Sequence, residues 1–249
     1  MSEAETQNNQ LNRNAVTQFF LRVDVGLEPA IDYERLVSDL SKDYDRIEKR
    51  QVANLSVIFT DGKSQMTTND SFDFVLASES TGLTLTISEI QKAIILETKH
   101  YLNNSVYKSS LENIVRMVRL QSKDVLSRRI GLRYVNQFPA QTKARISKIF
   151  EREYSNVITN MLASDTFISR AIAMNEYNYS QFKARVQYGL PNKFYPGILA
   201  TYDLLLDIDC FDDGAVRVGD WPDAASKLNH GAYAFFAKFV SDAFLAELR

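Results

Sequence analysis

One phrase that occurs twice limits the folds open to this chain more than any other feature. "FFLRVDVGLEPA" (residues 19–30) returns as "RIGLRYVNQFPA" (residues 129–140). In both, apolar and polar residues alternate with the period of a half-buried strand, and Pro-Ala then leads into a helical pattern. Pro29 and Pro139 are 110 residues apart, and so are Tyr44 and Tyr154. The strands that start at Leu96 and Leu206 keep this offset, and the Leu-Arg pairs of the lead strands are 111 apart, a one-residue difference in the turn. An offset kept through strand and helix predicts an old internal duplication.

The same order of elements is predicted after each copy of the phrase. A long helix should run from Tyr33 to Ile47 in the first half and from Ile146 to Val157 in the second, because apolar residues recur there at helical spacing. Strands are expected near 52–60, 71–79, 82–88, 92–101, 168–176, 179–189 and 199–211. A closing helix over 221–248 carries a broad apolar stripe, which either covers the sheet or forms a dimer interface.

Short connections between neighbouring strands predict an antiparallel sheet, and the helices should gather on one of its faces. The fold class is therefore α+β, built from two strand–helix–(three or four strands)–helix units that continue one curved sheet. This order resembles the topology of the TATA-box-binding protein. The predicted organisation is a mobile tail over 1–18, a first half over 19–128 and a second half over 129–249, in one continuous globular unit.

The composition narrows the classes of function. Lys and Arg number 29 and Asp and Glu number 31, so a net charge of −2 draws the whole chain neither to nucleic acid nor to an anionic membrane. The single cysteine, Cys210, excludes an internal disulfide framework and fits a reducing compartment. Apolar runs are much shorter than the roughly 20 residues of a membrane span. A cytoplasmic protein without membrane contact is expected.

The most specific motif is the run from Gly131 to Asn136, "GLRYVN". Together with the strand "IILETKHY" before it and a C-terminal helix that opens near Trp221, it resembles a bacterial protein family of about 250 residues. That family is sporadically distributed and has no assigned function. Sporadic distribution is typical of mobile genes, so the resemblance implies an accessory component encoded on mobile or phage-defence elements. It implies no functional residue.

The motifs of common enzyme chemistry are missing from the sequence. The only histidines, His100 and His230, fall at unrelated positions of the two halves, and no Gly-rich phosphate loop or paired C-x-x-C occurs. We therefore expect no catalytic residue, no metal and no cofactor.

Two arginines mark a candidate binding site. Strand alternation places Arg22 opposite Leu21 and Arg133 opposite Leu132, so both arginines lie on the polar side. If the two lead strands adjoin, the arginines converge on one face. Asp24 is on the same side as Arg22, and an intramolecular ion pair is one outcome. The other is a positive spot for a phosphate or an acidic partner side chain, which a guanidinium binds in bidentate fashion.

The densest basic cluster is the other candidate site. It consists of Arg116, Arg119, Lys123, Arg128 and Arg129, of which the first three share one face at helical spacing. Such a cluster is either a solvated helix face or a patch for nucleic acid or an acidic partner.

Two functions follow from these observations. The first is a non-enzymatic binding protein that uses the open sheet face or the helix layer to hold a protein partner, a second copy or an anionic ligand. The alternative is a nucleic-acid-associated module that uses the sheet face or the 116–129 cluster.

Overall fold

The computed structural model describes residues 15–26, 29–60, 63–101, 103–140, 142–164 and 167–248. The strands within these ranges are β1 Val16–Val25, β2 Arg46–Thr60, β3 Lys63–Ala77, β4 Thr84–Ser88, β5 Ala93–Thr98, β6 Leu126–Phe138, β7 Ala171–Asn178, β8 Lys183–Leu190, β9 Leu204–Asp212 and β10 Val216–Arg217. The helices are α1 Tyr33–Leu40, α2 Asn104–Gln121, α3 Lys143–Ile149, α4 Arg152–Ser164, α5 Trp221–Phe239 and α6 Asp242–Leu248.

All ten described strands belong to one antiparallel sheet, in the order β2-β3-β4-β5-β1-β6-β9-β8-β7, with β10 also beside β6. The two lead strands, β1 and β6, adjoin at the centre, where Leu21 lies opposite Leu132. Each is flanked by the last long strand of its own half, β5 or β9. The sheet is curved and unclosed, and the fold is α+β, as predicted.

One side of the sheet is buried beneath the helices. Leu21, Leu132 and Ile208 have almost no solvent exposure, and they belong to the same core cluster as Phe236 and Phe239 of α5. The predicted stripe of the closing helix therefore covers the sheet. Asn136 lies on this side as well, buried, and its side-chain amide donates a 3.0 Å hydrogen bond to the Leu206 carbonyl. The alternate residues point to the other face, which we call the uncovered face.

Both halves begin with a central strand, continue through helix and strands, and end with a helix, but the lengths of the strands differ. Four strands follow α1, whereas three long strands and the short β10 follow α4. The duplication and the likeness to the TATA-box-binding protein stay predictions. β1 begins at Val16, so residues 16–18 belong to the sheet and the predicted tail was too long there. Residues 1–14 lie outside the described residues.

The long helix predicted in the first half is wrong beyond Leu40. α1 has eight residues and is followed by a single 3-10 turn, Ser41–Asp43. β2 already begins at Arg46, opposite Ala77 of β3, so Ile47 is a strand residue. Ladder pairing with β3 overrides the helical spacing of Tyr44 and Ile47, because local periodicity is weaker than tertiary context.

Two other predicted helices are each divided in two. The second-half helix breaks at Phe150, between α3 and α4, and the closing helix breaks at Val240, between α5 and α6. The two breaks meet, since Phe150 and Val240 form an isolated antiparallel bridge. The Glu151 N–H donates to the Phe239 carbonyl at 2.9 Å, and the Ser241 N–H donates to the Ile149 carbonyl at 2.9 Å. Each break thus supplies the backbone partners that the other needs.

Several strand bounds also differ from the prediction. β2 and β3 begin at 46 and 63 rather than at 52 and 71, and β8 and β9 begin at 183 and 204 rather than at 179 and 199. None of the helices in the described residues is long and apolar enough to cross a membrane.

Candidate functional site

The middle of the uncovered face is built by three adjacent strands. Charged and aromatic side chains of β1, β6 and β9 lie there, together with one glycine. We call this set the central face: Phe20, Arg22, Asp24, Arg129, Gly131, Arg133, Asp207, Asp209 and Phe211.

The ladder between β1 and β6 brings the arginines together. Arg22 lies opposite Gly131, Arg133 lies opposite Phe20, and Arg129 lies opposite Asp24. Arg22 is therefore a diagonal neighbour of both Arg129 and Arg133 on one face of the sheet, a separation that long side chains bridge. The predicted convergence of Arg22 and Arg133 is present in the structure.

Arg133 forms the most specific ion pair of the face. Its Nε and Nη2 donate to the two carboxylate oxygens of Asp207 at 2.8 Å and 2.6 Å. The Asp207 side chain is only 7% exposed, whereas that of Arg133 is 48% exposed, so the guanidinium covers the carboxylate and meets solvent itself. Hydrogen bonding to Asp207 raises the pKa of Arg133 above its usual range.

Arg129 lies over an aromatic ring. Its guanidinium carbon is 4.6 Å from the ring centre of Phe211, and its Nη2 donates to Asp209 at 3.2 Å. Gly131 leaves room for this arrangement: a Cβ at that position would lie 3.3 Å from the guanidinium of Arg129, which would have to shift by a few tenths of an ångström. Burial raises the pKa of Asp209 above its usual range, although Arg129 opposes the shift.

Arg22 pairs within its own strand. Its Nε donates to Asp24 at 2.7 Å, which is the intramolecular ion pair that the sequence allowed. Three guanidinium groups and three carboxylates thus neutralise one another across the central face. The face carries both signs of charge and two aromatic rings, instead of the positive spot that was the alternative for Arg22 and Arg133.

The predicted basic cluster does not form one patch. Arg116 and Arg119 are exposed on α2, but Lys123 follows the end of that helix at Gln121, so helical spacing does not place it on their face. A register shift between β1 and β6 leaves Arg128 outside the ladder, and Arg129 belongs to the central face.

Asp207, Asp209 and Phe211 were not predicted as site residues from the sequence. Their alternation with Leu206, Ile208 and Cys210 in "LDIDCF" was the available signal. The constant offset makes this strand equivalent to the one that starts at Leu96, but it does not say which strand lies beside it. Alternation alone could therefore not place these residues next to Arg129 and Arg133.

The chain matches no family model, no curated protein and no solved structure. The resemblance noted from the GLRYVN run therefore stays a prediction. Within the described ranges, no group of three or more His, Cys, Asp or Glu side chains is arranged to hold a metal ion.

Proposed function

We propose that this protein is a non-enzymatic binding protein that holds a protein partner against the uncovered sheet face. The observation that carries the proposal is the mutual pairing of Arg22, Arg129 and Arg133 with carboxylates on the same face. A surface with alternating charge complements a protein surface of mixed charge, and it fixes register and orientation more than it adds affinity.

The aromatic rings supply the second part of the argument. Phe20 and Phe211 are partly exposed, and the guanidinium groups of Arg133 and Arg129 lie 5.9 Å and 4.6 Å from their ring centres. Phenylalanine and arginine side chains are enriched at the core of protein–protein interfaces, and arginine is also enriched among the residues that dominate the binding energy. Ion pairing within the face also holds these arginines in place before binding, which reduces the entropy cost of ordering them.

A nucleic-acid-associated module is the second candidate. It is favoured by the same convergence of three arginines beside two rings, since bases stack on aromatic and guanidinium planes. It is disfavoured by the carboxylates, because Asp24, Asp207 and Asp209 would repel a phosphate backbone.

The test compares wild type with Phe20→Ala and Phe211→Ala. Both variants remove a ring from the central face without touching an ion pair. A partner identified by affinity capture from the native cells, then purified, should bind each variant at least about tenfold more weakly, as expected for hot-spot aromatic residues. Leu120→Ala is the matched control, because Leu120 is a 65% exposed apolar residue on α2, in the helix layer.

Equal partner affinity for wild type and both folded phenylalanine variants would overturn the proposal. Binding of short single- or double-stranded oligonucleotides, measured by anisotropy at 50 and 200 mM salt, distinguishes the second candidate. Tight binding that falls steeply with salt and is lost in Arg22→Ala would favour nucleic acid over a protein partner.

A further inference from the structure

The sheet ends at β7 with an open edge. β7 pairs with β8 alone, so the backbone groups along its outer side have no ladder partner in the described part of the chain. Edge strands in natural proteins are commonly blunted by proline, lysine or a bulge. β7, "AIAMNEYN", contains no proline, lysine or bulge; its one charged side chain is Glu176, and Met174 at its middle is 55% exposed.

The outward residues of β7 complement one another. Residues with even numbers point to the uncovered face, as shown by the exposure of Met174 and Glu176 between the more buried Ala173 and Tyr177. Two copies related by a twofold axis perpendicular to the sheet keep their helices on one side. In that arrangement an even-numbered residue meets another even-numbered one.

One of these registers gives each of the residues 170, 172, 174 and 176 a complementary side chain opposite it. With Ala173 opposite its own copy, Arg170 lies opposite Glu176 and Ile172 lies opposite Met174, twice each. Shifting the axis to residue 174 would set Glu176 against Ile172, and shifting it to residue 172 would set Arg170 against Met174. Only the first register joins opposite charges and two aliphatic side chains on the uncovered face.

Arg170 is suited to such a partner. It is exposed directly before β7, its guanidinium carbon lies 4.4 Å from the ring centre of Tyr195, and no carboxylate in the described residues lies within ion-pair distance of it. Glu176 already accepts a 2.8 Å bond from Arg185 on β8. A second copy would therefore insert Glu176 between two guanidinium groups, one from each chain.

We infer that β7 is a self-association edge, at which a second copy of this chain adds its own β7 in antiparallel register with residue 173 on the twofold axis. The two sheets then become one continuous sheet, and the two uncovered faces lie on the same side. This inference does not rest on the proposed function, because it concerns the edge of the sheet and leaves the central face unchanged.

Disulfide cross-linking of introduced cysteines tests this register directly. The native Cys210 is buried and should not compete in the reaction. In the full chain, Ala173→Cys places two thiols opposite each other at a Cα separation of about 5 Å, within the range of a disulfide. Asn175→Cys is the control on the same face of the strand, and its two copies would be offset by four residues, about 13 Å. Mild oxidation should convert Ala173→Cys into covalent dimer and leave Asn175→Cys monomeric.

Charge exchange tests the same contact in solution. Sedimentation velocity over a concentration series should show a wild-type dimer. Glu176→Arg should weaken it at least about tenfold, because the arginine at position 176 then lies opposite Arg170 of the second copy and beside Arg185 of its own chain. Arg170→Glu should do the same, and the double variant Arg170→Glu with Glu176→Arg should restore the dimer. Glu48→Arg makes the same charge change on β2, the strand at the other edge of the sheet, and should leave the dimer intact.

A monomeric wild type at all concentrations would overturn the inference. So would a dimer that Glu176→Arg does not weaken, or cross-linking of Asn175→Cys as efficient as that of Ala173→Cys. These outcomes leave the proposed function untouched, since Phe20→Ala and Phe211→Ala test a separate surface.

Discussion

Removal of the Arg133 side chain should destabilise the protein far more than its position on a solvent-facing strand suggests. Arg133→Ala removes two charge-assisted hydrogen bonds and leaves the 7% exposed Asp207 carboxylate without its cation. Breaking a fully buried pair costs about 3–5 kcal/mol. Because Arg133 itself is 48% exposed, solvent should hydrate part of the orphaned charge, and we expect a loss of about 2–3 kcal/mol.

Arg185→Ala is the matched control. Arg185 also lies on the uncovered face and pairs with a carboxylate at 2.8 Å, but its partner Glu176 is 61% exposed. Exposed pairs contribute only about 0.2–1 kcal/mol. Equilibrium urea unfolding followed by circular dichroism measures the free energy of unfolding of each variant and of wild type. The dependence of that free energy on urea concentration, the m-value, should be the same in all three.

A double variant separates the orphaned charge from the lost contact. In Arg133→Ala with Asp207→Asn, the residue left behind is neutral, so the loss should fall below the sum of the two single losses by about 1–2 kcal/mol. If Arg133→Ala costs no more than Arg185→Ala, Asp207 does not depend on Arg133 and the reasoning about the central face is wrong.

Three further predictions concern β8, β9 and the protonation of buried groups. Gly189 has φ 139°, and a Cβ there would collide with the Ala171 carbonyl, so Gly189→Ala should lower stability by about 2–3 kcal/mol in thermal melts, and an unchanged melting temperature would refute this. Burial raises the pKa of the Cys210 thiol to about 12, so dithionitrobenzoate at pH 8 should modify it only on unfolding, whereas rapid labelling of folded protein would contradict the packing. Burial holds the folded pKa of Asp209 above its unfolded value of about 3.9. The folded state therefore binds this proton more tightly, and wild type should gain stability relative to Asp209→Asn as pH falls from 7 to 4 in urea unfolding, while a loss would contradict the burial of Asp209.

Much of the sheet was accessible from the sequence because its signals are local or repeated. Alternation fixed the side of the strand on which Arg22 and Arg133 lie, and the constant offset implied that β1 and β6 have equivalent positions. The charge partners were not accessible in the same way. Strand alternation places both Asp207 and Asp209 on the uncovered face, so it does not choose between them. Only the register between β6 and β9 decides that Arg133 binds Asp207 and Arg129 binds Asp209.

The helix breaks show a different limit. Phe150 and Val240 carry no local signal for a break, since neither a proline nor a glycine stands at either position. The breaks form because each exposes backbone groups that the other binds, at points 90 residues apart in the chain. Likewise, Ile47 fits a helix by spacing, and its place in β2 is set by the long ladder with β3.

Site-specific photo-crosslinking tests the central claim, that the uncovered sheet face holds a protein partner. A photoreactive amino acid is placed at Phe20 on the central face or at Leu120 on the helix layer, and the native cells are irradiated. We predict a covalent adduct with a distinct protein from position 20 and none from position 120. No adduct at position 20, or an adduct that nuclease removes, would contradict the account.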